Sequence, residues 1–304
     1  MKHLLTLADW SADEITAAFS LAIELKRKAA DGLREPLLAG KFLVQVFDKP
    51  SLRTRTSFDA AMARHGGSAS FMTSKEAGWV GGREKLEDVA TVLGSMADAI
   101  VIRTFSQQLV ADVAAAAGVP VINALTDDSH PMQALADVMT MREATGKVTG
   151  AKLVFVGDGN NVAKSLAIAA GKLGFSFTLC APDGYAFSDT TTADLKAAGV
   201  ASAVTVTADP DAAVADADFI YTDVWTSMGQ EAEKQKRLAD FAGYQVDEKL
   251  MASAPERCKF LHCLPAHRGE EVTAGVIDGP QSLVFTQAEN RMHTAAAVLA
   301  TLIA

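Results

Sequence analysis

The sequence predicts an α/β fold made of two open, parallel-sheet domains of Rossmann-like type, with the active site in the cleft between them. Three observations carry that prediction. Short, nearly continuous apolar runs alternate with helical patterns along the whole chain, which is how strands covered on both faces of a parallel sheet read. The runs fall into two sets, separated by GKVTGAK at 146–152. The chain has 304 residues, room for two domains of ordinary size and for a substantial core.

The elements follow in order. Ser11 caps an amphipathic segment that reads as a helix to Ala30, with Asp13 and Glu14 in its first turn. The first set of strands is FLVQVF (42–47), AIVIR (99–103) and VPVIN (119–123). The second is KLVFVGD (152–158), FTLCAP (177–182), AVTVTAD (203–209), DFIYTDVW (218–225), KFLHCLP (259–265) and LVF (283–285). The expected domains are 1–146 and 147–286, with 287–304 forming an alanine-rich helix that packs back across the domain interface.

A net charge of −9, from 28 Lys+Arg against 37 Asp+Glu, argues against nucleic acid or an anionic membrane as partner. Any bound anion then needs a local basic cluster. Three cysteines do not make a disulfide framework, and acidic residues interrupt MKHLLTLADWSADE before an apolar segment develops. A cytoplasmic protein is the expectation.

In open α/β sheets ligands bind outside the C-terminal strand ends. After FLVQVF, SLRTR opens a helix that Gly66 and Gly67 end. Free N–H groups and the helix dipole favour an anion there, and Ser51, Leu52, Arg53, Thr54 and Arg55 form a compact dianion site. Arg103 ends AIVIR. Ser129, His130, Pro131 and Gln133 open the helix after VPVIN, where His130 serves equally as a cap or as a ligand residue. GDGNN after the fourth run is a weak dinucleotide signal, because Gly157, Gly159 and Asn161 do not make GxGxxG. Asp223 ends another strand and suits an ammonium group, and Ser227 and Met228 follow on a loop. His262, Cys263 and His267 superficially suggest a zinc site, but alternation along a strand turns His262 and Cys263 apart and no Cys pair has metal spacing. Neither a metal nor a cofactor is expected.

SLRTR is similar to the SxRTR carbamoyl-phosphate signature of the aspartate and ornithine carbamoyltransferase family. SHPMQALAD resembles that family's HPxQxLAD element, HCLPAHRGEEV its HCLPxxRGxEV element, and AENRMH its ENR element. SMG at 227–229 resembles the ornithine-specific loop, and the five elements appear in family order along the chain. The resemblance implies that Ser51, Leu52, Arg53, Thr54, Arg55, Trp79 and Arg291 hold carbamoyl phosphate. Arg103, His130, Pro131, Gln133, Cys263 and Leu264 complete that set, with Arg103, His130 and Cys263 catalytic but Cys263 no covalent nucleophile. It implies that Asn161, Asp223, Ser227 and Met228 hold L-ornithine, and that the protein is a homotrimer, or a multiple of trimers, with shared sites. An amine of pKa near ~10.4 is almost wholly protonated at pH 7, so activity is expected to rise with pH. EAGWVGGREKLEDVA (76–90) departs from the family's Gln-Leu-Gly-Arg, and its Trp79 leaves an N-acetylated ornithine open as acceptor. A non-catalytic anion and amino-acid binding paralogue, or a nicotinamide-binding oxidoreductase acting through GDGNN, are the alternatives of a different class.

Overall fold

The computed structural model describes residues 1–79, 84–227 and 229–304. They form two compact units, one comprising Met1–Met139 and Glu289–Ala304, the other Thr140–Ala288. The break lies inside the helix Pro131–Thr145, ahead of the glycines from which a boundary at 146 was expected.

The first unit holds a parallel sheet of β1 (Phe42–Phe47), β2 (Ser68–Thr73), β3 (Ala99–Arg103) and β4 (Val121–Leu125), in the order β2-β1-β3-β4. The three anticipated strands are mostly buried, whereas β2, SASFMT, lies at the edge and buries no residue fully. An edge strand of that composition lacks the apolar run that reveals its neighbours. Ser11 caps the helix Ala12–Ala30 through a capping box, its hydroxyl accepting from Glu14 N at 3.2 Å while the Glu14 carboxylate accepts from Ser11 N at 2.8 Å.

The second unit holds β5 (Lys152–Val156), β6 (Ser176–Cys180), β7 (Val204–Thr207), β8 (Phe219–Thr222) and β9 (Lys259–His262), all parallel in the order β7-β6-β5-β8-β9. The expected strand LVF at 283–285 is not one. Val284 starts the helix Val284–Ile303, and the contact with β9 is an isolated bridge at Ser282, with Leu283 N donating to Phe260 O at 2.9 Å. A run of three apolar residues is too short for periodicity to separate strand from helix, and here it is a helix start with Val284 buried and Phe285 exposed.

In each unit the strand order turns the parallel C-terminal ends of adjacent strands onto one edge. These are β1, β3 and β4 in the first unit and β5, β8 and β9 in the second. Phe47 pairs with Arg103 and Arg103 with Leu125, while Thr222 pairs with His262, so the segments that follow these residues start side by side. Gly159, just after β5, is required by space: a Cβ there would meet Phe187 N at 2.8 Å. Among the described residues no helix is long and apolar enough to cross a membrane.

Candidate active site

In the first unit Ser51 ends the extended segment after β1 and caps the helix Leu52–Arg64, accepting from Thr54 N at 3.2 Å. No acidic residue occupies that first turn, so the turn itself leaves its N–H groups and dipole uncompensated. Arg291 joins this turn to the one after β4. Its Nη2 donates to Thr54 Oγ1 at 2.9 Å and its Nη1 to Gln133 Oε1 at 2.6 Å. Gln133 is held in that orientation because its Nε2 donates to Asp137 Oδ1 at 2.8 Å. Asp137, fully buried, is a residue the sequence reading passed over, although it closes the HPMQALAD segment.

His130 sits in the field of these cations. Burial comes first, and then the guanidiniums of Arg291, Arg103 and Arg53, in holding its pKa well below the ordinary imidazole value. The imidazole is therefore neutral at pH 7. The same field favours a small dianion, because each positive charge that opposes protonation of His130 attracts negative charge in the same low-dielectric surroundings. Arg53, Thr54, Arg103, His130, Gln133 and Arg291 are thus one group. Pro131 is buried at the first position of its helix, where a missing N–H costs nothing.

The Arg55 guanidinium lies 3.9 Å from the Phe71 ring centroid and 3.6 Å from Asp59 Oδ2. Leu52 is 78% exposed. Trp79 packs against two apolar clusters, with Leu86, Leu93 and Ile102 in one and Val44, Val46 and Met72 in the other. Val80, Gly81 and Gly82, which mark the departure from the family loop, lie outside the described residues.

In the second unit Asp223 follows β8 and is nearly buried. Its Oδ2 accepts from Asn160 Nδ2 at 2.9 Å, and its Oδ1 accepts from Val224 N at 2.8 Å and from Cys263 Sγ at 2.9 Å. All three donors are neutral groups. Asn160 also caps the helix Asn161–Leu173, its Oδ1 accepting from Val162 N and Ala163 N, each at 3.0 Å. It was missed because the neighbouring Asn161 carried the resemblance; Asn161 itself stands half-buried in the first turn. Cys263 gives its thiol proton to Asp223. Cys180 and Cys258 are buried thiols pushed up to about 12 by desolvation, whereas Cys263 is half-buried and donates to a carboxylate.

Ser227 closes a short turn, its N–H donating to Gln230 Oε1 at 3.0 Å. Met228 lies outside the described residues. The base of this loop is anchored by buried Arg237, whose Nη1 donates to Trp225 O at 3.0 Å and Asp158 Oδ2 at 2.7 Å. Burial still pushes the Asp158 carboxyl above the usual range.

Strand alternation does not separate His262 from Cys263. Strand β9 ends at His262, so Cys263 is free of its alternation, and donor atoms of Asp223, His262 and Cys263 come within 4.8 Å of one another. Their hydrogen bonds are what occupies them: the thiol is bound to Asp223, and His262 accepts from Leu264 N through Nδ1 and faces Glu271 through Nε2. His267, Glu270 and Glu271 form a second grouping of the same kind, in which Lys234 Nζ already donates to Glu270 Oε1 at 2.8 Å.

Residues 2–143 match the family model of the carbamoyl-P binding domain of aspartate/ornithine carbamoyltransferase, and residues 149–302 match that of its Asp/Orn binding domain. The chain is 49% identical over 304 residues to an ornithine carbamoyltransferase of Anoxybacillus flavithermus, covering 99% of this chain and 96% of the relative. The ornithine carbamoyltransferase of Bacillus subtilis is also 49% identical over 304 residues, covering 99% and 94%. Among solved structures, ornithine carbamoyltransferase from Pyrococcus furiosus aligns with a TM-score of 0.93 at 46% identity, covering 99% of this chain and 97% of the other. The enzyme from Thermus thermophilus aligns at 0.89 and 42%, covering 100% and 99%. Sequence and fold agree over nearly the full length of both units, and the chain belongs to the aspartate/ornithine carbamoyltransferase family.

Proposed function

We propose that the protein transfers the carbamoyl group of carbamoyl phosphate to the δ-amine of L-ornithine, giving L-citrulline and phosphate. The observation that carries this reading is the group of Arg53, Arg103 and Arg291 around a neutral His130. Such a cluster in an acidic protein suits one small dianion, and the near-full-length relatives are named for this transfer.

Carbamoyl phosphate is a mixed anhydride. Attack of the amine nitrogen on its carbonyl carbon forms the C–N bond, the C–O bond to phosphate breaks, and the amine proton leaves with phosphate or to solvent. Negative charge grows on the leaving oxygen, where Ser51, Arg53, Thr54 and Arg55 would stabilise it. Arg55 reaches that position only by leaving Asp59. Arg103 and His130 would polarise the carbonyl, the neutral imidazole donating a hydrogen bond without adding a competing acid, while Arg291 and Gln133 hold the carbamoyl end. In the second unit Asp223 and Cys263, with the Leu264 carbonyl, would take the amine, and Asn161, Ser227 and Met228 the α-amino and carboxylate groups. The same reading makes the protein a cytoplasmic homotrimer of arginine metabolism that needs no metal.

The test is citrulline formation from carbamoyl phosphate with ornithine, N-acetylornithine, aspartate and putrescine as acceptors. Ornithine is expected to be preferred by at least ~100-fold, and turnover to rise between pH 7 and 9 as the free amine becomes available. Preference for the N-acetylated substrate would move the acceptor assignment to the 76–90 loop. Absence of turnover with every acceptor would leave a binding protein.

A further inference from the structure

Leu264 is the one described non-glycine residue with positive φ, at 57°. A left-handed leucine is disfavoured and persists only where its surroundings hold it. Here the holding group is identifiable. The Leu264 N–H donates to His262 Nδ1 at 2.8 Å, two residues back. A peptide N–H only donates, so Nδ1 carries a lone pair and the imidazole proton is on Nε2, which faces Glu271 Oε1 at 3.2 Å. Both side chains are wholly shielded from solvent.

The same Glu271 oxygen also accepts from the backbone N–H of His267. One carboxylate therefore ties down both flanks of the turn from Cys263 to Ala266, through a side chain before it and a peptide after it. The near side is fixed again by Gln287, whose Oε1 accepts from His262 N at 3.0 Å and whose Nε2 donates to Tyr221 Oη at 3.1 Å. His262 and Glu271 carry no direct role in the transfer as assigned above; His262 meets that set through this turn, through Cys263 and through its proximity to Asp223.

We infer that His262 and Glu271 are positioning residues for the acceptor amine, setting the Leu264 peptide and the adjacent Cys263 thiol through the chain Glu271, His262, Leu264 N–H. The inference deepens the assignment of the amine to Cys263 and Leu264 and rests on it. A residue with that role acts on the acceptor and leaves carbamoyl phosphate alone, whereas a residue that merely supports the fold affects both substrates.

His262→Leu removes the acceptor for the Leu264 N–H, while His262→Asn offers an amide oxygen near the Nδ1 position. Steady-state kinetics of the full chain should show kcat/KM for ornithine lowered at least ~30-fold in His262→Leu, with KM for carbamoyl phosphate within about threefold. His262→Asn should recover at least a tenth of the wild-type value. Glu271→Gln, which keeps an oxygen facing His262 and is the variant to use if His262→Leu does not fold, should lower kcat/KM for ornithine about tenfold. Equal losses toward both substrates, no rescue by asparagine, or an unchanged Glu271→Gln would overturn the inference. Nitrogen-15 NMR of the histidines should show His262 as the Nε2–H tautomer, and an Nδ1–H tautomer would overturn it whatever the kinetics. A wild-type protein inactive with ornithine fails the functional reading instead, and the tautomer measurement keeps the two failures apart.

Discussion

The two units solve opposite electrostatic problems on the same kind of sheet edge. The first collects positive charge from distant parts of the chain, so that Arg53, Arg103 and Arg291 converge on His130 and depress its pKa. The second presents a single carboxylate, Asp223, fed by neutral donors from Asn160, Val224 and Cys263. Long guanidinium side chains reach a shared point from separate helices and strands, while the short side chains of the second set depend on strand ends and one backbone turn. A dianion fits the first arrangement and an ammonium group the second, and the difference is sharp enough to test by substitution.

The largest expected effect is in the first unit. Arg53→Ala removes a cation from the dianion site and should lower kcat/KM for carbamoyl phosphate by about 10³-fold, the upper range for losing one preorganised donor. Activity within tenfold of wild type would break the assignment of the cluster. Asp223→Asn, nearly isosteric, removes the carboxylate to which Asn160 and Cys263 donate. It should cost ~100-fold in kcat/KM for ornithine while the dissociation constant of carbamoyl phosphate, measured by calorimetry in the absence of acceptor, stays within twofold. If both substrates suffer alike, the division of labour between the two sets is wrong.

The same contrast explains what was legible in the sequence. The strands β1, β3, β4, β5, β6, β8 and β9 announced themselves because burial on both faces leaves apolar runs, and the edge strand β2 did not because it lacks them. Segment 283–285 misled for the converse reason, being apolar but too short to show a period. The first site was legible because a run such as SLRTR is anomalous in a chain of net charge −9 and its placement after a strand gives it a helix N-terminus. Asp137, Asn160, His262 and Glu271 were not, since their roles consist of pointing a neighbour: Gln133 for Asp137, Asp223 for Asn160, Leu264 for His262, and His262 itself for Glu271. Nothing in residue type or spacing reports that a buried His accepts from a peptide N–H two residues on.

Arg291→Lys separates charge from shape within the first cluster. It keeps the cation but cannot reproduce a fork that bonds Gln133 and Thr54 at once, so His130 should stay neutral while the turn after β1 loses its tie to the helix Pro131–Thr145. About a tenfold rise in KM for carbamoyl phosphate is expected from steady-state kinetics. A loss as large as that of Arg53→Ala would mean that Arg291 is itself a principal ligand of the dianion.

The smallest effect concerns stability. Because its pKa is depressed in the folded state, His130 stays neutral there while the unfolded chain takes up a proton below about 6.5. The unfolded state then binds more protons, and stability must fall as pH drops through that value, by at most about 1.4 kcal/mol per pH unit for one group. His3 and His293, also depressed chiefly by burial, act in the same direction, so the loss is a sum. His130→Gln removes one contribution and leaves the others. Urea unfolding midpoints at pH 7.5 and 5.5 should therefore converge in the variant relative to wild type, whatever the substitution does to stability at either pH. Carboxylate titrations are common to both proteins and cancel in the comparison. Parallel losses in the two proteins would mean that His130 accepts a proton in the folded state, and three guanidiniums around a neutral imidazole would no longer describe the first site.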